Sequence, residues 1–206
     1  MNKAEKFWDK QSGKFEKLVD KDEQSFNKPI EMTKKYLRNS DSVLDFACGI
    51  GTSSIRMADH VKEIQAIDIS SGMIDVAQRR ISEHNINNVN FIKTTIFDEQ
   101  LKAESFDVIT AFNILHLMED PKKAIHRIYE LLKPGGFFIS ETAFLGEKSF
   151  MRFIFYILSK TGKIPHLKLL KIAEFEKILA DENFQIIENE KLHKSQIQSF
   201  IVAKKS

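Results

Sequence analysis

The sequence carries a single cysteine, Cys48, so no disulfide can form within the chain, which suits a reducing compartment. It carries little net charge: 31 Lys and Arg stand against 29 Asp and Glu, a formal balance of +2. No run of Lys or Arg exceeds two residues, so a phosphate-tracking stripe is missing and nucleic acid is not an expected partner. No apolar run approaches the ~20 residues needed to span a bilayer, so no transmembrane segment is expected. Met1 to Lys10 is charged and lacks the apolar core of a secretion signal, which makes a cytoplasmic location the expectation. His60, His84, His126 and His193 show no ligand spacing with Cys48, so no metal site is expected. Internal repeats and low-complexity tracts are also missing, and residues 1–206 read as one domain with no interior boundary.

What is present is an alternation of short apolar runs and helical patterns. Strands are expected at 42–47, 64–69, 89–93, 106–112, 137–143, 184–190 and 196–203. Helices are expected at 3–19, from Pro29 as a first-turn proline, at 52–60, after Ser70-Ser71, after Asp120-Pro121 and at 172–182. Lys133-Pro134-Gly135-Gly136 stops the helix before strand five. Alternating strands and helices argue for a parallel sheet covered on both faces. The last two strands, joined by a short turn, pair antiparallel as a hairpin at one edge. Ligands of such sheets bind at the carboxyl ends of the strands.

The stretch from Val43 to Thr52 is the organising one. Val43, Leu44 and Phe46 make a strand, Gly49 and Gly51 break it, and a helix opens behind them. A glycine turn at a helix start admits close approach of a nucleotide-like ligand. No Gly-Lys-Ser/Thr follows, which excludes a phosphate-binding P-loop. The third glycine of a dinucleotide fingerprint falls on Ser54, an argument against a nicotinamide or flavin cofactor. Asp68, closing the second strand, suits ribose hydroxyls under either reading.

In order along the chain, Val43 to Thr52, Ala66 to Met73, Ser105 to Ile109 and Leu131 to Gly136 resemble the successive motifs of the class I S-adenosyl-L-methionine-dependent methyltransferases. The bacterial small-molecule and quinone-type members are the most similar. The strict order runs from about 42 to 143, with a weaker likeness at 199–205. The resemblance implies an α/β fold: a Rossmann-like, doubly wound, seven-stranded sheet, mostly parallel with one antiparallel strand from a C-terminal hairpin. It implies S-adenosylmethionine as the cofactor, with the backbone at Ala47, Cys48, Gly49 and Gly51 passing its methionine part. Asp68 would take the ribose hydroxyls, and Ile69 and Met73 would pack on the adenine. Asn113 would sit near the methionine end and the acceptor. Many relatives have Gly-Asp where this chain has Thr94-Thr95; either Thr95 with the Ile96 backbone N–H reads the adenine edge, or Asp98 reaches it. Phe7, Trp8 and Phe15 resemble an opening helix that covers the cofactor, within an N-terminal helical cap at 1–40. The same face also fits plain core.

Methyl transfer needs alignment and exclusion of water, and a base only if the acceptor carries a proton. His116 and Glu141 are the base candidates, each with a bland alternative as a hydrogen-bonded residue at the edge of the core. Cys48 reads as packing. The insert at 144–171, with its apolar core at 150–158 and flanking lysines, is core, the wall of an apolar acceptor pocket, or a peripheral contact with a membrane. The expected function is therefore methyl transfer to a small-molecule acceptor. The alternatives are a cofactor-binding partner without chemistry and an NAD-dependent oxidoreductase.

Overall fold

A computed structural model of the protein describes residues 3–21, 23–147, 167–192 and 197–206. The apolar core of the insert at 150–158, His166 and His193 lie outside the described residues. Two helices open the chain, α1 (Lys3–Lys21) and α2 (Glu23–Lys34). Then follow β1 (Ser42–Phe46), α3 (Thr52–Met57) with a 3-10 turn to His60, β2 (Glu63–Asp68), α4 (Ser71–His84), β3 (Val89–Lys93) and β4 (Phe106–Phe112). After a 3-10 turn at Leu115–Leu117 come α5 (Pro121–Leu131), β5 (Leu132–Ala143), α6 (Ile172–Asp181), β6 (Phe184–Lys191) and β7 (Gln198–Lys205).

Among the described residues the strands form one seven-stranded sheet in the order β3-β2-β1-β4-β5-β7-β6. Strands β1 to β5 pair in parallel, and β7 runs antiparallel to both β5 and β6. This is the expected Rossmann-like sheet, its hairpin inserted so that β6 forms the edge. The central strands are apolar on both sides because both faces are covered. Leu44, Ile109, Phe138 and Ile201 pack under α5 and α6. Val43, Ala66, Ile139 and Val202 pack under α2, α3 and α4. The order reverses between β1 and β4, which opens a crevice at their carboxyl ends.

Two local expectations change. Pro29 lies inside α2 rather than in its first turn. An interior proline loses one backbone hydrogen bond; burial of Ile30 and Met32 against the sheet, and the Thr33 hydroxyl donating to the Pro29 carbonyl at 2.8 Å, offset the loss. The helix stops at Leu131 as expected, but strand five starts at Leu132 rather than 137, with Lys133 to Gly136 as a bulge within it: Leu132 pairs with Phe106, and the next pair is Phe137 with Val108. Lys133 holds the bulge by an ion pair to Asp107 at 2.7 Å. At the two ends of the insert, Phe144 and Leu170 are fully buried, and Phe144 meets Phe175 of α6 edge-on.

Candidate functional site

The chain leaves β1 through a turn with Ala47 at φ 59°, Gly49 at φ 54° and Gly51 at φ 76°. Left-handed backbone costs roughly 1–2 kcal/mol for a residue with a Cβ, so Ala47 stores strain here. The turn is fastened to the sheet by Cys48 N–H donating to the Ile67 carbonyl at 3.0 Å, and closed by Gly51 N–H donating to the Cys48 carbonyl at 3.0 Å. At Gly51 a Cβ would sit 2.5 Å from the Phe91 ring of β3, so that side of the glycine is filled by the core. Gly49 is open: a Cβ would meet only Phe15, at 3.8 Å.

Behind the turn lies a buried carboxylate that motif reading passed over. Asp45 accepts hydrogen bonds from the hydroxyls of Ser53 and Ser54, each at 2.6 Å, and of Thr110 at 2.8 Å. Burial pushes its carboxyl above the usual range, against the pull of these three donors. The network ties β1 to the start of α3 and to β4. It also gives Ser54, the residue that spoiled the dinucleotide fingerprint, a positive role. The available signal was the pair of serines directly after the glycines, on a helix start that an aspartate could reach.

Asp68 ends β2 beside the same turn. One carboxylate oxygen accepts from Gly49 N–H at 3.0 Å and the other from Ser70 N–H at 2.8 Å. Burial raises its pKa against those two donors. Next to it, Ile69 is half-buried and Met73 is buried with Ile50 and Val19. In the loop after β3, Thr95 is exposed and its hydroxyl accepts from Phe97 N–H at 3.2 Å, while Ile96 is buried. Asp98 is engaged within its own loop, accepting from the Thr94 hydroxyl at 2.5 Å and Gln100 N–H at 2.9 Å.

Helix α1 lies across this edge. Asp9 accepts from the Ser70 hydroxyl at 2.6 Å and Gly72 N–H at 3.1 Å, so a carboxylate of α1 satisfies the positive end of α4. The Ser70 hydroxyl holds Asp9 below the usual carboxylate range. Glu5 pairs with Lys93 at 2.7 Å and Glu16 pairs with Arg79. The helices touch so closely that a Cβ on Gly72 would lie 3.0 Å from the Ser12 hydroxyl and 3.2 Å from the Asp9 carbonyl. The other face of α1 sets Phe15 over the glycine turn, edge-on to Phe26 of α2. Asp9 was not foreseen, since its partners are more than sixty residues away.

Across the crevice, Asn113 follows β4 in the left-handed region at φ 56°. Its N–H donates to the Glu141 carbonyl at 2.8 Å, and its side-chain amide donates to the Glu141 carboxylate at 3.0 Å. Burial pushes the Glu141 carboxyl up to about 7, against the donor from Asn113. Gln198 of β7 donates to the Asn113 side-chain carbonyl at 3.2 Å. His116, the other base candidate, is buried with no partner for Nδ1, and burial pushes it down to about 4. It is thus neutral near pH 7 and is not among the residues that line the crevice cavity.

One cavity is walled by Ala47, Cys48 and Gly49 on one side and by Asn113 and Glu141 on the other, with Asp45 also in its lining. Phe15, Phe26, Pro29, Ile30, Ile50 and Phe112 make most of the remaining wall apolar, with Thr52 and Ser53 beside them. The structure thus gathers five of the expected site residues, with Asp68 one hydrogen bond away through Gly49. Burial together with Asp45 and Asp68 pushes the Cys48 thiol well up, which makes it inert and fits its reading as packing. Among the described residues no group of three His, Cys, Asp or Glu is placed to hold a metal ion. A larger polar hollow lies at the amino ends of β1 to β4, lined by Ser42, Glu63, Asn88 and Lys102, at the wrong end of a parallel sheet for the chemistry.

Comparison with known proteins bears on this site. A family model described as a methyltransferase domain matches residues 37–196. The chain is 33% identical over 96 residues to a demethylmenaquinone methyltransferase of Clavibacter sepedonicus, covering 47% of this chain and 38% of that protein. It is 29% identical over 154 residues to a ubiquinone biosynthesis O-methyltransferase of Nitrosospira multiformis, covering 71% of this chain and 63% of that one. It thus spans about two fifths of the first relative and under two thirds of the second. The fold matches a SAM-dependent methyltransferase from Aquifex aeolicus with a TM-score of 0.74 at 18% identity, over 95% of this chain and 98% of that one.

Proposed function

Since the chain belongs to the methyltransferase-domain family, we propose that it moves a methyl group from S-adenosylmethionine to a small acceptor with an apolar body and a protic nucleophile. Membership removes the nicotinamide reading that the glycine turn alone left open. The observation that carries the proposal is the pairing, across one cavity, of the open turn at Gly49 with the carboxylate of Glu141.

The residues present fit the cofactor. Gly49 leaves free space above the turn. Asp68 spends one backbone N–H on each oxygen, and a carboxylate has about four lone-pair sites, so both oxygens keep capacity for ribose hydroxyls. Ala47, Cys48 and Gly49 would flank the methionine part, with Asn113 at its far end. Ile69 and Met73 would pack on the adenine. With Asp98 engaged in its loop, Thr95 and the Ile96 N–H are the pair left to read the adenine edge. When bound, S-adenosylmethionine supplies an electrophilic methyl group. The chain then has to align an acceptor, keep water out and receive a proton. Phe15 and Phe26 exclude water, and the apolar wall suits a ring or hydrocarbon body; both relatives are quinone enzymes by name. Glu141, with its pKa near 7, is suited to receive the acceptor's proton at neutral pH. Burial makes His116 the weaker base of the two, and it does not line the cavity.

The test is a labelled-methyl transfer screen over phenols, quinols, amines and thiols, run beside calorimetry with S-adenosylhomocysteine. Binding of S-adenosylhomocysteine and transfer to a phenol or quinol are expected. Glu141→Gln should lower the rate by roughly 10²–10³-fold while leaving that affinity unchanged. A chain that fails to bind S-adenosylhomocysteine would refute the proposal, and binding without any transfer would identify a subunit without chemistry.

A further inference from the structure

Asn113 presents Glu141 with an ambiguous group. A primary amide has a donor end and an acceptor end of nearly equal size, and its terminal torsion is soft. An ionised Glu141 needs the donor end; a carbonyl turned toward it would repel it. The backbone of Asn113 is already fixed to β5 by its N–H to the Glu141 carbonyl, so only the side chain is left to choose. The choice is made from the next strand. Gln198 opens β7 opposite Ala143 and donates to the Asn113 side-chain carbonyl at 3.2 Å. That bond occupies the acceptor end and leaves the donor end for Glu141, at 3.0 Å. The segment before β7 is held in place by Phe144 N–H donating to the Ile197 carbonyl at 2.7 Å.

We infer that Gln198 is a positioning residue of the transfer reaction: it turns the Asn113 amide so that Glu141 is held as the carboxylate that takes the acceptor's proton. The inference rests on the proton-accepting role proposed for Glu141. In the step it serves, the acceptor's O–H proton passes to Glu141 as the oxygen–methyl bond forms and the sulfur–methyl bond of the cofactor breaks, which leaves a neutral thioether. The other titratable groups around Glu141 are few. Asp45 and Cys48 line the same cavity; the Asp45 oxygens are committed to three hydroxyls, and burial pushes the Cys48 thiol well up. His116 follows β4 and is neutral. From α2 the cavity receives Phe26, Pro29 and Ile30, which carry no charge, while Lys28 is paired outside with Glu190 of β6.

The experiment follows the carbon-13 carboxyl resonance of Glu141 through a pH titration of the full chain saturated with S-adenosylhomocysteine, the resonance being assigned with Glu141→Gln. Gln198→Met keeps the volume and removes the donor. It should raise the Glu141 midpoint by ~0.5–1 pH unit, because the donor end of Asn113 is no longer held toward the carboxylate. The rising limb of the transfer rate against pH should move by the same amount. Gln198→Glu, which can only accept, should turn the amide over and raise the midpoint further. A merely structural Gln198 would change the melting temperature and leave the midpoint within about 0.2 unit of the parent; that result in either folded variant overturns the inference. If instead Glu141→Gln retains full transfer activity, the proposed role of Glu141 falls first, and the positioning role with it.

Discussion

The two sides of the cavity are built differently. On the β1 side, backbone does the work: three left-handed residues, two N–H groups aimed at Asp68, and a buried aspartate tying strand to helix. On the β5 side, side chains do it: Gln198, Asn113 and Glu141 form one polar chain between strands. The first construction is rigid and tolerates little change. The second hangs on two side-chain hydrogen bonds, at 3.0 and 3.2 Å, and its proton affinity follows how the Asn113 amide is turned. A cofactor common to many reactions needs the rigid side, and a particular acceptor needs the tunable one.

The contrast between the two sides predicts four outcomes. The largest concerns the rigid side. Gly51→Ala places a Cβ against Phe91 and asks for φ 76°, so it should lower the unfolding free energy by roughly 3–4 kcal/mol in urea denaturation. A loss below about 1 kcal/mol would mean the turn is softer than described. The second concerns buried titration. Glu141 is pushed up from 4.5 to about 7, so the folded chain holds its proton longer, and stability falls as pH rises from about 4.5 to about 7. His116 is pushed down from 6.5 to about 4, so its stability contribution is lost as pH falls through that window. Each amounts to ~3 kcal/mol and the slopes oppose, so these two contributions nearly cancel between pH 4.5 and 6.5. Glu141→Gln should become less stable toward acid, and His116→Asn less stable toward neutral pH; parallel profiles in all three would deny the opposition.

The third returns to the rigid side. Asp68→Ala should weaken S-adenosylhomocysteine by ~1–3 kcal/mol in calorimetry, since ribose hydroxyls and Gly49 N–H both lose a charged partner. An unchanged affinity would place the ribose elsewhere. The smallest concerns the lid. Gly72→Ala should push α1 from α4 and cost ~1 kcal/mol in S-adenosylhomocysteine affinity, with the core melting as before. An equal or tighter affinity would make α1 a bystander.

Much of this was legible in the sequence because it is local. Apolar runs and glycine punctuation gave all seven strands, and the ends of β1 and β2 gave Gly49 and Asp68. What escaped depends on distant pairing. The bonds joining Asn113 to Glu141 and to Gln198 span 28 and 85 residues, and no periodicity links such positions. Asp45 escaped because glycine patterns draw attention from hydroxyls, although Ser53 and Ser54 stood in view. The packing role of Gly51 was not legible either; only the Phe91 ring across the sheet shows that the core claims its empty side. Pro29 misled because propensity places proline at helix starts, while tertiary burial of Ile30 and Met32 overrides it here.

Strand β7 enters the sheet between β5 and β6 although it follows both in the chain. The last strand made is therefore an interior one, and the wall of the cavity that carries Glu141 is not closed until the carboxyl end of the chain is in place between β5 and β6.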